Sequence, residues 1–81
     1  MNVPLNQYRT VSQLCAGQQA DVVGMAVSEK IQERLAGLGL NMGARFSLIQ
    51  GGGGVPFILA VDETRVAMGK ELAEKIYIKC V

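Results

Sequence analysis

Apolar residues recur along this chain in two rhythms. From Ala44 to Gln50, Phe46 and Leu48 alternate with Arg45 and Ser47, the two-residue period of a strand with one buried face. The closing stretch Ile76 to Val81 repeats that alternation, with Ile76, Ile78 and Cys80 predicted to point inward and Tyr77 and Lys79 outward. Val55 to Val61 is a near-continuous apolar strand, with Pro56 at its start or on an unpaired edge. Gln19 to Val27 is rich in β-branched and small residues and predicts a first long strand, bent or bulged at Gly24. Arg65 to Met68 predicts a short strand after the tight connection Asp62-Glu63-Thr64.

The second rhythm is helical. Ile31, Leu35 and Leu38 lie at i, i+4 and i+7, one apolar stripe, while Lys30, Gln32, Glu33 and Arg34 take the other faces. Ser28 is placed to cap the helix, and Glu29 sits in the first turn, where the helix dipole favours an acid. Gly37 and Gly39 both suit the left-handed residue that ends a helix. With Gly39 in that role, Leu40 folds back on the last turn, and Asn41-Met42-Gly43 turns into the next strand. Shorter helical turns are predicted within Leu5 to Ala16, capped by Thr10 and ended by Gly17, and within Gly69 to Lys75, with Leu72 and Ala73 inward.

About five short strands with one helix between the first and second predict a mainly β fold: a small, strongly bent antiparallel barrel forming one domain over residues 1–81. The run Gly51-Gly52-Gly53-Gly54 lies between two apolar strands. It lacks the Lys-Ser/Thr and the following helix of a phosphate-binding loop, and it lacks the spacing of a dinucleotide fingerprint. It therefore reads as a hairpin turn with a mobile tip.

Composition narrows the function. Eight basic and seven acidic residues give a net charge of +1, with the basic residues spread among acids, which argues against phosphate-backbone binding and so against nucleic acid. Histidine is absent, which removes the commonest general base and transition-metal ligand and points away from an enzyme. Met1 to Thr10 lacks the apolar core of a signal peptide, and no apolar run approaches the roughly 20 residues of a membrane span, so the chain reads as cytoplasmic. In that reducing setting Cys15 and Cys80 are expected as free, buried or half-buried thiols.

The passage Arg34-Leu35-Ala36-Gly37-Leu38-Gly39-Leu40-Asn41-Met42-Gly43-Ala44 resembles the "RLxxLGLxPG" signature of the FeoA family, with Met42 where proline is usual. "VSQLCAGQQADVVGM", "VDETRVAMG" and "LAEKIYIKCV" extend the resemblance from Val11 to Val81. It implies an SH3-like barrel with an inserted helix. It also implies a cytosolic component of bacterial ferrous iron uptake that supports a FeoB-type permease, whose cytosolic part carries a GTP-binding domain. The same fold occurs in the C-terminal domain of DtxR-type repressors, which makes a metal-responsive regulatory domain the alternative.

On this reading no cofactor is expected, and the contact surface for the permease lies around Leu40, Met42 and the glycine turn at Gly52 and Gly53. Leu35 and Leu38 belong to the core. Glu29, Glu33, Asp62, Glu63, Glu71 and Glu74 could offer oxygen ligands to iron, but no ligand spacing links them, and metal ligands are left unassigned. Pairing of copies through an open sheet edge is a further expectation.

Overall fold

In the computed structural model, residues 8–81 are described. The strands are β1 (Arg9–Thr10), β2 (Gln19–Met25), β3 (Arg45–Gly52), β4 (Val55–Val61), β5 (Thr64–Met68) and β6 (Ile76–Cys80). Two helices interrupt them, α1 (Glu29–Gly37) and α2 (Lys70–Ala73). All six strands join one sheet in the order β1-β6-β2-β3-β4-β5, and every neighbouring pair is antiparallel.

Alternation builds the interior. Ala20 and Val22 of β2, Phe46 and Leu48 of β3, Phe57, Leu59 and Val61 of β4, Val66 and Met68 of β5, and Ile76 and Ile78 of β6 all turn to one side. There they form a single core with Val11, Leu14, Leu35, Leu40 and Ala73, and no polar or charged residue is buried among the described residues. β4 alternates despite its apolar sequence, with Ile58 and Ala60 half-buried on the outer face.

Three irregularities bend the sheet around this core. Register shifts between Val22 and Gly24 on β2, where a bulge is expected. It shifts again between Leu48 and Gln50 of β3, and between Gln50 and Gly52. Pro56 lies opposite the last of these breaks. A residue without an N–H is tolerated where the ladder is already interrupted.

The glycine run is a hairpin turn. Gly52 pairs with Val55, leaving Gly53 and Gly54 as a two-residue loop with φ of 63° and 87°. Positive φ at both loop positions matches the twist of the flanking strands. Gly51 is there for a different reason: a Cβ would lie 2.2 Å from Cδ2 of Phe57, whose ring covers this glycine.

Three sequence expectations change. The strand count is six, because Arg9 and Thr10 pair with Ile78 and Tyr77 of β6. The helix expected across Leu5 to Ala16 reduces to one 3-10 turn over Val11–Gln13, and Leu5 to Gln7 lie outside the described residues. Here the Thr10 N–H donates to Oε1 of Gln13 at 2.8 Å. Cys15 and Cys80 are both exposed free thiols. Cys80 has inward parity but ends β6 beyond the rim of the core, where Nη1 of Arg9 donates to its Sγ at 3.5 Å.

Candidate docking surface

The site is built around α1 and its exit. Ser28 caps the helix: its Oγ accepts from the Ile31 N–H at 3.3 Å. At the other end Leu40 N–H donates to the Leu35 carbonyl and Gly39 N–H to the Ala36 carbonyl, both at 2.9 Å. With Gly39 at φ +94°, this pair of bonds is a Schellman closure. Its geometry turns the chain back so that Leu40 packs on Leu35, and both enter the core.

Leu40, predicted as a contact residue, is 0% exposed and therefore cannot touch a partner in this conformation. Leu38, predicted as core, is 42% exposed, and Ile31 of the same stripe is 38% exposed. The physical reason is that α1 meets the core through a single side chain. Only Leu35 within α1 is buried, so the stripe touches the sheet at its middle and lifts away at both ends. Ile31 and Leu38 are about 10 Å apart along the helix axis, on one face. Met42, 49% exposed, keeps its predicted accessibility in the turn that follows.

Beside Ile31 a groove of about 570 Å³ opens between the entry to α1 and the segment around α2. Ala26, Val27, Ile31 and Leu72 give it an apolar lining, and Glu71 and Lys75 supply both signs of charge. The Ala26 N–H donates to the Lys75 carbonyl at 2.8 Å, which ties the two walls together. The sequence reading missed this groove. Its signal lay in a helix carrying only Ile31, Leu35 and Leu38 as large apolar residues, too sparse a stripe to seal along its whole length.

Gly52 and Gly53 line a separate concavity of about 460 Å³ with Ser12, Pro56 and Lys70. Met42 precedes β3 and Gly52 ends it, so the strand separates them by about 23 Å of its own length. The four predicted contact residues are not brought together: one is buried, and the others lie at opposite ends of β3.

Among the described residues the one ion pair joins Arg45 to Asp21, directly opposite each other on β3 and β2. Nε donates to Oδ1 at 2.8 Å and Nη2 to Oδ2 at 3.3 Å. The hydrogen bond from Arg45 holds the Asp21 carboxyl below the usual aspartate range, with smaller help from the charges of Arg45 and Lys79. Among the described residues no three Cys, Asp or Glu side chains converge as a metal site would require. No described helix is long and apolar enough to cross a membrane.

Residues 9–80 match the model of the FeoA domain. The fold superposes on a crystal structure described as iron uptake regulatory protein (FeoA), with a TM-score of 0.80 and 25% identity, covering 89% of this chain and 96% of that one. It also superposes on the solution structure of the FeoA protein from Chlorobium tepidum, with a TM-score of 0.82 and 27% identity over 89% of this chain and 70% of that one. A manganese-dependent transcriptional repressor in complex with manganese aligns with a TM-score of 0.83 over 100% of this chain and 39% of its own, at 15% identity, which is a likeness of fold. Comparison with curated proteins finds no match.

Proposed function

The chain belongs to the FeoA family, and on that premise we propose that it is a non-enzymatic accessory protein of ferrous iron uptake. It works in the cytoplasm by docking on the cytosolic G-protein region of a FeoB-type permease. The observation that carries the docking reading is the exposure of Ile31, Leu38 and Met42 around one short helix, next to a groove with an apolar lining. Three of the six exposed large apolar residues among the described residues fall within this one short stretch, which supports reading it as a docking surface. The mixed charge of Glu71 and Lys75 gives that surface a polar rim, the anatomy of a non-obligate interface.

Titration of the full chain against the isolated cytosolic region of the permease tests this directly. Saturable binding is expected, and Ile31→Asp or Leu38→Asp is expected to weaken it by about tenfold or more, as loss of a central apolar contact does. Both positions are exposed, so the melting temperature serves as the control for folding. No binding by the native chain would remove the permease partner; binding indifferent to both substitutions would move the contact away from α1.

A further inference from the structure

The charges of α1 are segregated around its axis. Arg34 lies three residues after Ile31 and four before Leu38, so on the helix surface it sits against both exposed apolar side chains. Lys30 lies four residues before Arg34, one turn back along the same edge. Both cations are exposed, and among the described residues neither belongs to an ion pair. Glu29 and Glu33 each stand two positions from Ile31, roughly 160° round the helix. They line a separate shallow concavity with Gln32 and Ala36.

Helix stability does not account for this edge. Lys30 is in the first turn, where the helix dipole disfavours a cation, and like charges four residues apart repel. Within the neighbouring groove Glu71 and Lys75 offset each other, so the uncompensated charge bordering the apolar face is positive. We infer that the segment covering Ile31 and Leu38 in the docked state is an acidic segment of a partner protein. It presents apolar side chains flanked by Asp or Glu, and those carboxylates meet Lys30 and Arg34. This rests on the docking reading given above and specifies what its partner must carry.

Two other occupants fit less well. An anionic membrane surface is held by clusters of roughly four to eight Lys or Arg, and this edge supplies two on a chain of net charge +1. An antiparallel α1 of a second copy would bring like edges together, Lys30 and Arg34 against their own counterparts. A carboxylate-bearing segment meets both cations without either cost, and burial of Ile31 and Leu38 supplies the apolar contact.

Two synthetic amphipathic helical peptides serve as probes, one of leucine and glutamate, the other with lysine at every glutamate. Titrated into the isotope-labelled full chain, the glutamate peptide is expected to shift the amides of Ile31, Arg34 and Leu38. It should bind about tenfold or more tighter than the lysine peptide, a preference that narrows with added salt. Lys30→Glu/Arg34→Glu should reverse the preference, which a merely damaged fold would not do, and Lys30→Gln/Arg34→Gln should abolish it. Arg65→Glu/Lys79→Glu makes the same change of net charge elsewhere and should leave the preference in place. Equal binding of the two peptides, or binding of neither, would overturn the proposal. So would tighter binding to phosphatidylserine vesicles than to the glutamate peptide, or self-association of the native chain that Lys30→Glu/Arg34→Glu removes. The isolated cytosolic region of the permease separates this inference from the docking reading. If that region binds and ignores Lys30→Glu/Arg34→Glu, the acidic segment falls and the docking stands. If the glutamate peptide is preferred and the region does not bind, the permease falls and the acidic partner stands.

Discussion

Two glycines two positions apart separate two kinds of constraint at the residue scale. Gly51 has an ordinary φ but no room, because the Phe57 ring occupies the space a methyl would take. Gly53 has open space but a φ of 63°. Gly51→Ala must displace a core aromatic ring and is expected to cost about 1–3 kcal/mol. Gly53→Ala meets only the backbone penalty, about 1–2 kcal/mol. Urea denaturation of the two variants measures both, and a Gly51→Ala chain as stable as the native one would contradict the packing described. The sequence revealed the turn but could not reveal that Gly51 serves the core, since the ring contact depends on the register break beside Pro56. Asp21 gives a pH signature at the same scale. Its folded pKa is lowered by Arg45, so its contribution is complete above the ordinary aspartate range and disappears as pH falls through the lower folded value. Asp21→Asn is therefore expected to be less stable than the native chain at neutral pH, with the two converging in acid. Because Arg45 is largely exposed and Asp21 only half-buried, the difference is small and shrinks with added salt. Denaturation midpoints across pH would show it.

Among the elements, α1 shows what periodicity can and cannot deliver. Its start at Ser28 and its end at one of Gly37 and Gly39, with Leu40 folding back if at Gly39, were legible, because caps are written in local residue types. The burial of individual leucines was not. Which member of an apolar stripe reaches the sheet depends on how the helix is seated, and that seating is set by distant residues. The capping rule itself should have placed Leu40 inside, since that position packs against Leu35 whenever the closure forms. Leu35→Ala is expected to destabilise by about 2–4 kcal/mol through the cavity it leaves, whereas Leu38→Ala should stay within about 0.5 kcal/mol. Equal losses in a urea titration would mean that the helix lies flat on the sheet.

Across the whole molecule, alternation made the mainly β architecture readable, because each strand of five or more residues carries its own inward face. β1 escaped notice since two residues have no period; it exists because β6 offers an edge to Arg9 and Thr10. The thiols were misjudged for a related reason, as burial at a strand end depends on how far the core extends. Both Cys15 and Cys80 are expected to react with a thiol reagent in the native protein, without prior denaturation. Quantitative alkylation followed by mass measurement checks this, and protection of either thiol would contradict its exposure. β2 and β3 are immediate neighbours in the sheet, so the chain between them, which contains α1, is a detour whose tie to the fold is the burial of Leu35 and Leu40. A graft exchanging the outward side chains of that detour for a relative's, with Leu35 and Leu40 kept in the core, should leave the sheet standing. One short excursion thus faces both ways, anchoring inward through two leucines while its outer side is free to vary.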